Sequence, residues 1–174
     1  MGISSGLGRD ALLPGLVLLR TETVGTGVSS HTVSGVFNAT YDAYRIVITG
    51  GSSSASENVT LKLGASTTGY YDIVMYADTS ATTTPKSTGT SNGSVFARGG
   101  TVSANGFQFN IDINNPFLAK YTSFGGPYNF EGVTSSLGST SGVHRVASSF
   151  TDFTIAPGSG TITGGTIRVY GYRN

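Results

Sequence analysis

Hydrophobic and polar residues alternate along this chain with a period of two, and the segment Phe107-Gln108-Phe109-Asn110-Ile111-Asp112-Ile113-Asn114 does so for eight residues without a break. Four apolar side chains fall on one face and four polar ones on the other, as in a strand buried on one side only. The following Asn115-Pro116 closes it, because proline cannot donate to a ladder. Val59-Thr60-Leu61-Lys62-Leu63 repeats the pattern up to Gly64, and residues 44–49 and 166–173 are rich in β-branched and aromatic residues. Weaker candidates are residues 16–24, 31–37, 70–76, 94–98, 118–124, 128–133, 143–150 and 152–155. About eight to eleven short strands separated by turn signals, with no strand–helix alternation, predict an all-β, jelly-roll-like antiparallel β-sandwich. Residues 50–56 and 78–93 are expected to be loops, the second long and polar. Gly138-Ser139-Thr140-Ser141-Gly142 reads as a Ser/Gly-rich turn. It resembles a nucleophile elbow only superficially, because the central residue is Thr140 and no helix follows. Residues 1–12 read as an N-terminal arm and residues 13–174 as the sandwich domain.

Composition narrows the function. The 174 residues include 26 Gly but only 11% Asp, Glu, Lys and Arg, well below the ordinary share. The exterior is therefore built from Ser, Thr, Gly and Asn. A net charge of +1, with basic residues scattered singly, argues against a nucleic-acid partner. The absence of cysteine removes disulfides, thiolate metal sites and cysteine nucleophiles. The longest apolar run, residues 11–19, is broken by Pro14-Gly15 and is too short to span a bilayer, so no membrane insertion is expected. It also lacks the flanks of a signal peptide.

Candidate chemistry is sparse. The two histidines, His31 and His144, have no carboxylate or nucleophile at a familiar spacing and read as structural. Asn110, Asp112 and Asn114 align oxygen donors along one strand face. A flat strand splays them about 7 Å apart, where a calcium site needs a curved loop. The row reads as the wet face of a sheet. No catalytic residue, cofactor or metal is expected. Tyrosine joins apolar area to a hydroxyl handle and is enriched at interfaces. Tyr70, Tyr71, Tyr76, Tyr170 and Tyr172, with Leu12, Leu13 and Leu16 near the arm, are therefore the candidate interaction residues.

Several ordered segments are similar to those of tailed-bacteriophage virion proteins. They are Leu13-Pro14-Gly15-Leu16-Val17, then residues 37–48 (Phe-Asn-Ala-Thr-Tyr-Asp-Ala-Tyr-Arg-Ile-Val-Ile), then Leu61-Lys62-Leu63-Gly64 with Thr68-Gly69-Tyr70-Tyr71. Asn115-Pro116-Phe117-Leu118-Ala119 and the ending at residues 164–173 complete the series. The resemblance implies a small β-sandwich structural protein of the virion: a capsid decoration or cement protein, a head fibre or a tail-fibre tip. No active site is implied. Decoration of the shell, through contacts with the major capsid protein or other virion proteins, is the leading expectation. The chain is short, and it lacks the heptads or shaft repeats that accompany a fibre tip. A homotrimer is expected by analogy with phage appendages. The alternative is a tip that binds host-surface glycans or a receptor.

Overall fold

A computed structural model describes residues 15–79, 83–131 and 135–173, and among these it contains fourteen strands and no helix. They are β1 (Gly15–Thr23), β2 (His31–Val33), β3 (Ala43–Thr49), β4 (Ser52–Ser53), β5 (Glu57–Leu63), β6 (Tyr70–Asp78) and β7 (Pro85–Gly93), then β8 (Phe96–Ser103), β9 (Gly106–Asn114), β10 (Lys120–Phe130), β11 (Ser136–Ser148), β12 (Phe153–Pro157), β13 (Ile162–Thr163) and β14 (Thr166–Arg173). All pairings are antiparallel. One layer has the order β1-β14-β3-β9-β10-β11-β6-β7, and the other β2-β12-β5-β8. They close as a β-sandwich, joined where β8 also pairs with the start of β9. Residues 1–12, the expected arm, lie outside the described residues.

The core follows from the alternation. On β9, Phe107, Phe109, Ile111 and Ile113 are buried, while Gln108, Asn110 and Asn114 face solvent. Its neighbours contribute Tyr44, Ile46 and Ile48 from β3, and Ile167 and Val169 from β14. The opposite layer supplies Val59, Leu61, Leu63, Phe153 and Ile155, so that two greasy inner faces meet. Arg45 faces outward between the buried Tyr44 and Ile46.

Along one edge, β9 pairs first with β8 (Gly106–Gln108) and then with β10 (Asp112–Asn114). This fork is where the sheets part. Two glycines permit it. A Cβ at Gly126 would lie 2.3 Å from the Asn110 carbonyl oxygen, and one at Gly100 would lie 2.7 Å from that of Gln108.

Three segments differ from expectation. Most of residues 78–93 is strand, because β7 pairs with β6 from Ala77 back to Tyr70. Gly138–Gly142 lies within β11, hydrogen-bonded between β10 and β6, and is no turn. Gly125-Gly126-Pro127 does not interrupt β10, which runs on as one strand of eleven residues. In each case partners on both sides, or a long partner on one, impose an extended backbone on residues with weak propensity of their own.

A polar layer fastens β8 to the sheet above it. The Asp72 side chain is fully buried and accepts hydrogen bonds from Arg98 Nη1 (3.0 Å) and the Ala97 backbone N–H (2.8 Å). Arg98 also donates to the Thr90 hydroxyl on β7 (3.0 Å), and its carbonyl accepts from the Thr140 hydroxyl on β11 (2.6 Å). Removing one partner would leave an uncompensated carboxylate in the interior. Arg98→Met is therefore expected to lower the unfolding free energy by about 3 kcal/mol or more. Urea denaturation of both proteins checks this, and a change below roughly 1 kcal/mol would show that water reaches Asp72.

Candidate functional site: the uncovered sheet face

The eight-stranded layer has one face against the core and one that no described element covers. Apart from Tyr121 on β10 and Val146 on β11, its exposed large apolar residues fall into two groups. At one end, Leu16 and Leu18 of β1 are 44% and 53% exposed and pair with Tyr172 and Tyr170 of β14. Both tyrosines are half-buried and share the outward face, because Ile167, Val169 and Gly171 alternate inward. Toward the other end, Ile73 and Met75 of β6 and Leu137 of β11 are 43%, 58% and 53% exposed. Five strand spacings separate β14 from β6, about 24 Å. These are two surfaces, and no single tyrosine platform unites them.

Between them lies a charged cluster. Arg45 donates from Nε and Nη2 to the two oxygens of Asp112 (2.8 and 2.7 Å), and the Tyr172 hydroxyl donates to Asp112 Oδ1 (2.5 Å). The Arg45 guanidinium holds the Asp112 carboxyl below its ordinary range, and the tyrosine hydroxyl adds to this. Burial, then the hydrogen bond to Asp112, raises the Tyr172 hydroxyl. Asp112 is thus engaged by its neighbours. The expected wet row of Asn110, Asp112 and Asn114 is there, but its carboxylate serves an ion pair.

The candidate tyrosines divide by strand parity. Tyr70 is a correction: it is fully buried, its ring edge-on to Phe96 at 4.9 Å and its hydroxyl accepting from the Leu63 N–H (2.9 Å). It pins β6 to β5 and presents nothing to a partner. Tyr71, the next residue, points outward with the Arg145 guanidinium 4.3 Å from its ring centre. Tyr76 is half-buried on the inward side, beside Tyr128 at 6.0 Å. Leu12 and Leu13 lie outside the described residues. Ile73, Met75, Leu137 and Leu18 were missed; alternation within residues 70–76 held the signal for the first two, once the direction of Tyr70 was known.

The chain matches no family model, no curated protein and no solved structure.

Both histidines read as structural from the sequence. His31 Nε2 lies 2.9 Å from a Glu22 carboxylate oxygen at the sandwich edge. His144 is fully buried between the rings of Tyr70 and Phe150, with Nε2 2.8 Å from Ser66 Oγ. That contact has the look of a nucleophile–base pair. However, Nε2 also lies 3.0 Å from the Thr68 carbonyl oxygen, which can only accept, so Nε2 carries the proton and cannot take one from Ser66. Nδ1, where a triad carboxylate would sit, has no hydrogen-bond partner. Among the described residues, no cluster of three or more His, Asp or Glu could hold a metal ion. No helix among them is long and apolar enough to cross a membrane.

Burial lowers the His144 pKa below its ordinary 6.5, so the folded protein disfavours the imidazolium while the unfolded chain accepts it. The stability this neutral side chain contributes is complete above about pH 6.5 and falls as the pH drops toward the depressed folded value. Melting temperature should decline from pH 7 to about pH 5, above the carboxylate range, and His144→Gln should flatten that slope. An unchanged slope in the variant would show that other groups set it.

Proposed function

We propose that this chain is a non-catalytic attachment module of a virion, docking by the β1–β14 end of its uncovered sheet face. The observation that carries the reading is the outward row of Leu16 and Leu18 beside Tyr170 and Tyr172, two half-exposed leucines next to two aromatic rings. A monomer with this surface leaves apolar area in water that a partner would cover. The row is continuous in sequence with residues 1–14, whose Leu12 and Leu13 extend the same apolar character. The ions beside the row, Arg45 and Asp112, are already matched to each other, and repeated docking on a lattice multiplies weak contacts.

The likeness of the ordered segments to virion proteins supports a tailed-phage particle as that lattice. Decoration of the capsid shell, with the major capsid protein as partner, is the first form of the proposal. Jelly-roll winding of the sandwich belongs to the same reading. In the second form the chain is a fibre tip that holds a host glycan, and Tyr71 beside its surface hollow is the feature that favours it.

Gold-labelled antibody against the chain, viewed by electron microscopy on intact particles, distinguishes the forms: label over the shell supports decoration, and label at fibre ends supports the tip. Each buried Leu is worth about 1.5–3 kcal/mol, and these two are already half covered, so Leu16→Ser with Leu18→Ser should weaken each contact by roughly tenfold or more. Particles assembled with that variant are expected to lose label while the soluble variant keeps its melting temperature. Undiminished label would place the attachment surface elsewhere.

A further inference from the structure

The second apolar group carries an inference that does not depend on attachment. Four strands, β10-β11-β6-β7, form a wing whose outward residues lie in four cross-strand rows. The first two rows are Ser123–Val143–Tyr71 and Gly125–Ser141–Ile73–Gly89. The next two are Pro127–Ser139–Met75–Ser87 and Asn129–Leu137–Ala77–Pro85. No Asp, Glu, Lys or Arg occurs in any of them. The largest protrusions, Met75 and Leu137, stand in the third and fourth rows. A hollow of about 460 Å³ lies in the first and second, bordered by Tyr71, Ile73, Ser123, Ser141 and Val143 and floored by Phe124 where Gly142 lacks a side chain. A second hollow, also about 460 Å³, adjoins Met75, Ala77, Lys86, Ser87 and Leu137.

Protrusion and hollow are offset along the same two strands by about two rows, roughly 13 Å. A two-fold axis lying in the plane of the sheet, crossing the strands between the Ile73 and Met75 rows, exchanges them. It sets Met75 and Leu137 of each copy over the first hollow of the other, and Tyr71 and Ile73 over the second. One patch that holds both its own knob and the matching recess is what an isologous contact requires. We infer that the wing is a self-association surface, and that its occupant is a second copy of this chain packed face to face across that two-fold axis.

Size and charge agree. Four rows by four strands cover about 500 Å² per copy, about 1,000 Å² for the pair, the size at which specific interfaces begin. The rows themselves carry no charged residue; the cations nearest them stand at the two ends of the patch, Arg145 against the Tyr71 ring and Lys86, paired with Asp78, beside the second hollow. Face-to-face packing about 10 Å apart is also how this sandwich closes its own core. A two-fold pair differs from the three-fold assembly that analogy with phage appendages suggests.

Sedimentation equilibrium of the full chain tests this. The chain is expected to sediment at twice its own mass and the Met75→Lys, Leu137→Lys double variant at its single mass, with the circular-dichroism spectrum of the folded sheet retained. Since the chain lacks cysteine, a second measurement reads the geometry. A mixture of Ile73→Cys and Met75→Cys chains should join through a short thiol cross-linker, and Ser29→Cys, on the far layer, should not. A monomer at every concentration, a trimer, a pair indifferent to the two lysines, or cross-linking no better than at Ser29 overturns the inference.

Discussion

Gly106–Asn114 has to be a member of both sheets, and the rest of the molecule is arranged around that demand. Its inward side chains are the centre of the core, its outer edge is held by β3, and its other edge is shared in succession by β8 and β10. At the fork the backbones come closer than side chains allow, which is why Gly100 and Gly126 stand there. Once β8 leaves for the second layer, the space beneath β10, β11 and β6 must be filled from below. It is filled by Phe96, by Tyr70 and Phe124 against it, and by the Asp72–Arg98 pair. The buried ion pair is thus a consequence of the fork, since it ties the departing strand to the sheet it left.

The same arrangement leaves the outward face bare. In a two-layer sandwich each sheet has one face with nothing behind it, and antiparallel sheets tolerate this when that face is polar. Over most of this sheet it is: Gln108, Asn110 and Asn114 on β9, and Ser139 and Ser141 on β11, face water. The two apolar clusters are departures from that rule. They lie about 24 Å apart with the Arg45–Asp112 pair between them. The ion pair satisfies its own charges, so it separates the clusters without selecting a partner for either.

Legibility followed the physics of each segment. β9, β3 and β14 were plain because one buried face forces alternation, and the alternation is visible whatever the partners are. β7 was not, because Ser87, Thr88, Gly89, Thr90 and Ser91 carry no hydrophobic pattern; its extended backbone comes from pairing with β6, which is a tertiary fact. Glycine and proline in β10, and Gly138–Gly142 in β11, looked like turns for the same reason. Tyr70 and Tyr71 show the limit most sharply. In a strand, adjacent residues point to opposite faces, and which of two tyrosines turns inward is fixed by register with β11 and by the Leu63 N–H waiting for a hydroxyl.

Low charge connects these points. A chain with few ions cannot mark its surfaces by sign, so recognition must rest on shape and on apolar area. On the wing, glycine and serine supply the shape, since their small side chains leave the hollows that Met75 and Leu137 rise above. At the β1–β14 end, Leu16 and Leu18 with Tyr170 and Tyr172 supply apolar area. A surface with relief selects one mate in one orientation. On the two proposals the clusters serve different tasks, and their separation on one sheet leaves room for both partners.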